Sequence, residues 1–247
     1  MKTILITGCS SGFGLETARY FLDRGWTVIA TMRTLRDDVL PASKNLRVLA
    51  LDVTDPDSIR RAVEAAGPID ALVNNAGIGA AAPAEVTPMS AIREVFETNL
   101  YGTIAITQAA LPQFRERRSG VIVNVTSSVT LRALPLVAAY TASKAAVNAF
   151  TESMALEIAQ FGVRTHLVLP GRAPETRFAE NGGSRMQGLD HEAYAELVKG
   201  FMARFSQPGP VTRPQDVAEA VWRAVNDPSS PIRIPAGADA VALAEAS

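Results

Sequence analysis

The fold is decided by the amino-terminal stretch Thr3-Ile4-Leu5-Ile6-Thr7-Gly8-Cys9-Ser10-Ser11-Gly12-Phe13-Gly14. It begins with a run of β-branched and apolar residues, which is typical of a strand buried in a sheet. The glycines that follow permit a tight turn into a helix and let a pyrophosphate approach the amides at the beginning of that helix. The stretch predicts a strand, a phosphate-binding turn and a helix, although its spacing, Gly8-x-x-x-Gly12-x-Gly14, is not the usual G-x-G-x-x-G.

The same alternation continues along the chain. Short apolar runs predict further strands at 26–31, 46–51, 71–74, 121–126, 163–169 and 232–234. Helical periodicity predicts helices near 12–24, 56–66, 88–113, 140–160 and 214–226. Strands that are apolar on both faces and separated by helices indicate a parallel sheet covered on both sides. We therefore expect one α/β domain over residues 1–247, with a doubly wound, Rossmann-type sheet of about seven strands.

The bulk composition excludes several classes of protein. With 47% hydrophobic and 20% charged residues, the 247-residue chain has the make-up of a single enzyme-sized domain. Its formal net charge of −1 provides no basic field for nucleic acid, and no apolar run is long enough to span a membrane. Cys9 is the one cysteine, so no internal disulfide can form, and we expect a cytoplasmic protein. One cysteine with His166 and His191 makes no metal site.

A tyrosine and a lysine stand one helical turn apart, at Tyr140 and Lys144. In a helix these side chains share a face, so an ammonium lies beside a hydroxyl whose free pKa is about 10. The charge favours the phenolate and predicts a lowered pKa for Tyr140, as a general acid or base requires. The same spacing also occurs on ordinary surface helices, so its meaning depends on the residues around it.

Three motifs in this order resemble the classical short-chain dehydrogenase/reductase family. They are the glycine-rich turn, Asn74-Asn75-Ala76-Gly77 after the fourth strand, and Tyr140-x-x-x-Lys144, and the resemblance runs from Lys2 to about Asn226. It implies hydride transfer between a nicotinamide and a carbonyl or alcohol carbon. The stretch Ala30-Thr31-Met32-Arg33, together with the turn, looks most like the hydroxysteroid and retinol dehydrogenase-like branch, which suggests bulky lipophilic substrates.

The resemblance also implies the catalytic residues. Ser127, thirteen positions before Tyr140, matches the serine that donates a hydrogen bond to the substrate oxygen, and Ser128 matches less well. Tyr140 would transfer the proton, while Lys144 would lower its pKa and bind the nicotinamide ribose. Asn99 matches an asparagine that holds a water in the proton relay. A helix-interior amide that bonds to the backbone is the alternative interpretation of Asn99.

A dinucleotide site follows from the same resemblance. Its expected contacts are Gly8, Ser10, Ser11, Gly12, Phe13, Gly14, Arg33, Asp52, Val53, Asn75, Ala76, Gly77, Tyr140, Lys144, Pro170 and Gly171. Met32 stands where an acidic residue would bind the ribose 2′-hydroxyl of NAD, and Arg33 beside it can pair with a 2′-phosphate. This favours NADP(H) over NAD(H), with Ser11 able to add a hydrogen bond. Arg33 as a solvated arginine at a strand end is the plainer interpretation.

Two positions depart from the family pattern. Thr176 comes one residue late after Pro170-Gly171, and Thr130 stands where a glycine is common and would narrow the substrate entrance. Residues 172–213 break the strand and helix alternation and are expected to be a variable insertion. The family resemblance implies that this segment forms the substrate lid. Apolar and aromatic residues recur in it at helical spacing, namely Met186, Tyr194, Leu197, Phe201 and Met202. Ordinary packing is one interpretation of them, and a hydrophobic lid that suits an apolar ketone or secondary alcohol is the other.

Other functions and assemblies stay open. A non-catalytic, nucleotide-sensing regulatory protein could keep this fold, but such a protein would be free to lose the catalytic residues that this chain retains. A sugar-nucleotide epimerase or dehydratase usually carries a longer carboxyl-terminal domain than 247 residues allow. We expect a homodimer or homotetramer built through the helices near 88–113 and 140–160. Cys9, inside the phosphate turn, is interpreted as a small buried residue rather than a reactive thiol.

Overall fold

The computed structural model describes residues 1–36, 38–176, 185–186 and 188–246. The strands are β1 (Thr3–Ile6), β2 (Thr27–Met32), β3 (Leu46–Ala50), β4 (Ala71–Asn74), β5 (Gly120–Val125), β6 (Val163–Pro170) and β7 (Arg233–Ala236). The helices are α1 (Gly12–Leu22), α2 (Pro56–Ala66), α3 (Met89–Phe96), α4 (Gly102–Arg117), α5 (Ala138–Ile158), α6 (Ala195–Ser206), α7 (Pro214–Asn226) and α8 (Ala238–Glu245).

The seven strands form one parallel sheet in the order β3-β2-β1-β4-β5-β6-β7. The chain winds outward from β1 in one direction and then from β4 in the other, so the order reverses between these two strands. In the register, Ile4 lies between Val28 of β2 and Ala71 of β4. Ligands of such sheets bind beyond the carboxyl ends of the strands at this reversal. The predicted doubly wound α/β fold is confirmed.

Helices cover both faces of the sheet. Ile4 and Ile6 pack into the apolar cluster beneath α1 and α7, whereas Leu5 packs into the cluster beneath α2, α4 and α5. Successive side chains of a strand point to opposite faces, so a strand that is buried on both faces has to be apolar throughout. The continuous apolar runs of the sequence are therefore the signature of this two-layer core.

Helix ends follow local sequence signals. Asp55 caps α2 by accepting a hydrogen bond from the Asp57 amide at 2.9 Å, and Pro56 occupies the first helical position. At the beginning of α7 the Asp216 carboxylate accepts a hydrogen bond from the Arg213 amide at 2.8 Å. Such caps fix where the crossover helices begin, and hence where the loops at the site leave the sheet.

The predicted helix near 88–113 differs from the structure. It consists of α3 and α4 joined by a π-helical turn, Glu97–Tyr101. The extra residue in a π turn rotates the following side chains, and such turns are common at functional sites. Here the turn carries the buried Asn99.

Two helices were not predicted from the sequence, α6 and α8. The first lies within the predicted lid, residues 172–213, of which 177–184 and 187 lie outside the described residues. In the described part of the chain, no helix is long and apolar enough to cross a membrane.

Candidate active site

The glycine-rich turn connects β1 to α1 at the reversal point of the sheet. Gly8 and Gly12 have φ angles of 73° and 58°, a left-handed conformation that glycine adopts without strain. Gly14 is required for space, because a Cβ atom there would lie 2.3 Å from the Gly8 carbonyl oxygen. A Cβ atom on Gly8 would lie 2.9 Å from the Cα atom of Ala76. The turn therefore packs directly against the loop that follows β4.

Hydrogen bonds hold these two segments together. The Thr7 hydroxyl accepts from the amides of Asn75, at 3.0 Å, and Ala76, at 2.9 Å. The Asn75 side-chain amide donates to the carbonyls of Thr7, at 2.9 Å, and Gly8, at 3.2 Å. The side chain of Asn75 thus stabilises the turn, and what this residue can offer a ligand is its backbone.

The beginning of α1 fits a pyrophosphate. Ser11 occupies the N-cap position, yet within the described residues its hydroxyl makes no capping hydrogen bond, and the first turn of α1 carries no acidic residue. The first amides of the helix and the positive end of its dipole therefore face an open turn without a competing carboxylate. Ser10 and Phe13 flank this turn and are half-buried.

Thr176 reaches over the same turn. A Cβ atom on Gly12 would lie 3.5 Å from the Cβ atom of Thr176. The amide and the hydroxyl of Thr176 both donate to the Ala173 carbonyl, at 3.2 and 2.9 Å. This local turn takes up the extra residue after Pro170-Gly171, and it places Thr176 against the phosphate turn.

Ser127 and Tyr140 meet beyond the end of β5. Ser127 follows β5 and caps the short 3₁₀ helix Ser128–Thr130, accepting from the Val129 amide at 3.3 Å. Tyr140 lies in the first turn of α5, and its hydroxyl is hydrogen-bonded to the Ser127 side chain. Both side chains are buried. Burial raises the pKa of Tyr140 to about 12, an effect that the Ser127 hydrogen bond opposes.

Lys144 lies one turn further along α5, on the same face. Its Nζ atom donates to the Val125 carbonyl at 3.0 Å and lies 5.9 Å from the centre of the Tyr140 ring. A Cβ atom on Gly77 would lie 3.3 Å from this nitrogen, so the glycine leaves room beside the ammonium. Burial lowers the pKa of Lys144 to about 8.

The predicted lowering of the Tyr140 pKa is wrong for this structure. Burial disfavours the phenolate of Tyr140 and the ammonium of Lys144 at once, and it is the largest cause of both pKa shifts. The spacing of Tyr140 and Lys144 predicts that their side chains attract each other. It does not predict how much water the two groups lose, because that depends on the surrounding helices. The phenol consequently stays protonated at neutral pH.

Asn99 joins the π-helical turn to the loop after β4. Its Oδ1 atom accepts from the Ile78 amide at 2.8 Å, while its Nδ2 atom donates to the Ile78 carbonyl at 2.9 Å and to the Ser143 hydroxyl at 3.0 Å. Ser143 in turn donates to the Tyr140 carbonyl at 2.7 Å. The side chain is thus occupied with backbone and helix contacts, as the alternative interpretation of Asn99 expects.

The ribose end lies at the carboxyl ends of β2 and β3. Met32 is buried, whereas Arg33 is exposed. Asp52 has a lowered pKa: partial burial acts to raise it, but hydrogen bonds from the Thr54 amide and hydroxyl and the charge of Arg33 outweigh that burial. Val53 packs beneath α4. Arg33 therefore sets a positive field over this edge of the sheet.

Thr130 turns its hydroxyl inward rather than toward the entrance. It donates to the Ser127 carbonyl at 2.8 Å and accepts from the Asn148 side chain at 3.0 Å. Asn148 lies one turn beyond Lys144 and was not predicted as part of the site. The recurrence of polar residues at 140, 144 and 148 was the signal that could have identified it.

Cys9 and His166 lie in the buried core, where each side chain contacts a backbone carbonyl. Cys9 is buried, its thiol donates to the Ile6 carbonyl at 3.3 Å, and burial raises its pKa to about 12. His166 lies 2.9 Å from the Pro231 carbonyl and 3.1 Å from Arg164, contacts that belong to the core. The residues that the structure describes contain no cluster of side chains able to hold a metal ion.

Residues 2–186, which contain this glycine-rich turn and the Ser127, Tyr140 and Lys144 cluster, match the family model described as short chain dehydrogenase. The chain belongs to the short-chain dehydrogenase family. Among curated relatives of this short-chain dehydrogenase, human retinol dehydrogenase 8 is 32% identical over 254 residues, covering 94% of this chain and 80% of that protein.

Two further curated relatives are named as a dehydrogenase and a reductase. Estradiol 17-beta-dehydrogenase 1 of Rattus norvegicus is 34% identical over 93% of this chain and 72% of its own length. The 3-ketodihydrosphingosine reductase of Bacteroides thetaiotaomicron is 31% identical over 96% of this chain and 88% of its own length.

Solved structures support the same assignment. A short-chain dehydrogenase from Streptomyces avermitilis is 32% identical with a TM-score of 0.85, covering 99% of this chain and 91% of that chain. A serine dehydrogenase complexed with NADP+ has a TM-score of 0.80 at 28% identity, covering 95% and 94% of the two chains. A 3-ketoacyl-(acyl-carrier-protein) reductase from Brucella melitensis, complexed with NADH, has a TM-score of 0.77 at 29% identity, covering 95% and 96%. This short-chain dehydrogenase is accordingly an oxidoreductase of the CH–OH/C=O class with a nicotinamide cofactor.

Proposed function

We propose that this short-chain dehydrogenase is an NADP(H)-dependent carbonyl reductase or alcohol dehydrogenase for an apolar ketone or secondary alcohol. The observation that carries the proposal is the buried contact between Ser127 and Tyr140, with Lys144 one turn away. It lies on the same edge of the sheet as the phosphate turn, so one dinucleotide could contact both.

In the reductive direction the residues have distinct roles. The bound nicotinamide supplies the hydride. Ser127 donates a hydrogen bond to the substrate oxygen as negative charge develops there, and Tyr140 gives that oxygen a proton. Lys144 binds the nicotinamide ribose hydroxyls and stabilises the phenolate that remains.

Asn99 stabilises the segments next to Tyr140 and Lys144. Through Ile78 and Ser143 it fixes the loop after β4 relative to the beginning of α5. Both segments border Lys144, since a Cβ atom on Gly77 would lie 3.2 Å from the Asn99 Oδ1 atom and 3.3 Å from the Lys144 Nζ atom. A place for Asn99 in the proton relay stays a prediction from the family resemblance.

The preference for NADP(H) rests on charge at the ribose end. A buried Met32 replaces the carboxylate that would repel a 2′-phosphate, and Arg33 is exposed beside it. The charge of Arg33 also contributes to the lowered pKa values of Asp52 and Glu94, so these carboxylates partly neutralise it. We therefore propose a preference for NADP(H) rather than exclusive use, and relatives complexed with NADP+ and with NADH both occur.

The proposed substrate class rests on the walls of the site. The loop after Gly77 contains three buried alanines, Ala80, Ala81 and Ala82. The Ala82 amide donates a hydrogen bond at 2.8 Å to the carbonyl of Leu136, which shortly precedes Tyr140 in the sequence. Leu136 is itself buried, so the loop after Gly77 meets the segment before Tyr140 through apolar residues. Relatives named for retinol, estradiol and 3-ketodihydrosphingosine carry the same implication of a lipophilic substrate.

Assembly into a homodimer or homotetramer is part of the proposal. Tyr101, next to α4, and Leu156 on α5 are large apolar side chains that remain exposed. A groove between α4 and α5 includes Leu111 and Phe161. Charged side chains, Arg115 and Glu157, also line this groove, so it is suited to a second copy of the chain that meets both apolar and charged groups. Light scattering of the purified protein would measure the mass of the assembly.

A substrate panel tests the proposed function. Ketones and secondary alcohols of increasing size are supplied with NADPH, NADH or their oxidised forms, and the reduced-nicotinamide absorbance is followed. We expect turnover of bulky apolar substrates, with higher kcat/KM for NADPH than for NADH. Binding of either cofactor without turnover of any member would favour a nucleotide sensor, and a preference for charged sugars would contradict the apolar site.

A further inference from the structure

The turn after β6 is held by residues from the carboxyl-terminal part of the chain. The Gly171 amide donates to the Thr212 hydroxyl at 2.8 Å, and the Arg172 amide donates to the Asp239 carboxylate at 2.6 Å. The Thr212 amide donates back to the Arg172 carbonyl at 2.8 Å. Three backbone groups of one short turn are thus satisfied by two residues that lie far away in sequence.

Thr212 is the centre of this network. Its side chain is fully buried, and its hydroxyl lies 2.7 Å from the Asp239 carboxylate and 2.8 Å from the Ala236 carbonyl. Gly237 leaves room for it, because a Cβ atom at that position would lie 2.1 Å from the Thr212 hydroxyl oxygen. Asp239 stands in the first turn of α8, where the helix dipole stabilises a carboxylate.

The close approach of Asp239 also explains why residue 171 is a glycine. A Cβ atom on Gly171 would lie 2.1 Å from a carboxylate oxygen of Asp239, closer than any tolerated contact. Gly171 is not among the glycines with a positive φ angle. Space for Asp239, rather than a left-handed backbone, is therefore what requires glycine here.

We infer that Asp239 and Thr212 are positioning residues for the nicotinamide end of the cofactor. They fix the Pro170-Gly171-Arg172 turn, which by the proposed function lies against the nicotinamide, and the inference rests on that function. The adenosine end is held elsewhere, by the turn after β1 and the ends of β2 and β3. Loosening the network should thus weaken contacts to one end of the dinucleotide and leave the other end unchanged.

Two ligands separate these ends. NADP+ contains the nicotinamide, whereas 2′-phospho-ADP-ribose carries every other group of the dinucleotide. We expect Asp239→Ala and Thr212→Val to raise the Kd for NADP+ about tenfold, the effect of one or two lost hydrogen bonds to a charged or buried partner. The Kd for 2′-phospho-ADP-ribose should change less than about twofold. Thr212→Ser, which keeps the hydroxyl, should restore the wild-type ratio of the two constants.

Asp70→Ala is the matched control. Asp70 also accepts a hydrogen bond from a backbone amide far away in sequence, that of Thr3 at 2.7 Å. This bond lies at the amino ends of the strands, away from the turn after β6. Its substitution should leave both dissociation constants unchanged. Calorimetry measures all of these constants without any turnover.

The outcomes are distinct. Equal weakening of both ligands by Thr212→Val would mean that the network stabilises the fold in general. Two unchanged dissociation constants would mean that the turn does not contact the nicotinamide. Either result overturns the inference. If Asp239→Ala fails to fold, the near-isosteric Thr212→Val and its serine counterpart decide the matter. Failure of the wild-type protein to bind either ligand would instead refute the proposed function.

Discussion

Replacement of Asn99 by alanine separates a structural tie from a role confined to proton transfer. The substitution removes the acceptor of the Ile78 amide and the donor to the Ile78 carbonyl, together with the contact to Ser143. An unsatisfied buried polar group costs about 1–3 kcal/mol. Because Ile78 is half-buried, water can partly replace the lost partners, and the lower end of that range applies to each of its two groups. We expect a loss of about 2–4 kcal/mol in the free energy of unfolding.

Urea denaturation followed by circular dichroism measures this loss. Such a change is a large part of the roughly 5–15 kcal/mol that stabilises a typical domain. Asn148→Ala is the matched control, since that buried amide donates one hydrogen bond, to Thr130 at 3.0 Å, and its Oδ1 atom has no partner within the described residues. We expect about 1 kcal/mol there. A loss at Asn99 no larger than that at Asn148 would refute the structural tie.

Three further predictions concern charge. Arg33→Glu should weaken NADPH binding about tenfold or more while changing NADH binding much less, and equal losses in titrations of both would make Arg33 a structural residue. The reductase kcat/KM should fall as the pH rises above about 8, because Lys144, with a pKa of about 8, loses its charge there. If kcat/KM of Lys144→Ala falls over the same pH range, a group other than Lys144 causes the decrease. Burial lowers the pKa of His166 below its value in the unfolded chain, so the unfolded chain takes up the proton first as the pH falls. The Tm should therefore decrease below about pH 6.5. In calorimetric scans, His166→Gln should make the Tm less dependent on pH.

The sheet could be predicted from the sequence because its determinants are local. Continuous apolar runs such as Val121 to Val125 identify strands that are buried on both faces, and the glycines after Thr7 identify the turn. The clustering of Ser127, Tyr140 and Lys144 followed from family resemblance, and the structure brings these three residues together. The lid, the oligomeric state and the cytoplasmic location stay predictions.

What the sequence could not provide depends on contacts between distant elements. The raised pKa of Tyr140 comes from burial, which no spacing reveals. The π-helical turn carries Asn99, whose side chain bonds to Ile78 in a loop far away in sequence. Asp239 meets Arg172 only because β7 lies beside β6 in the sheet, so its place at the site appears only once the chain is folded.

In the proposed reaction, Tyr140 transfers the proton beside a bound nicotinamide. Single-turnover reduction by Tyr140→Phe, with NADPH prebound and the absorbance of the reduced cofactor followed, tests it most directly. We expect a rate at least about 100-fold below that of the wild type, since general acid catalysis contributes about 10²–10⁴-fold, with the Kd for NADPH unchanged within about twofold. A rate within tenfold of the wild type at the same Kd would contradict it.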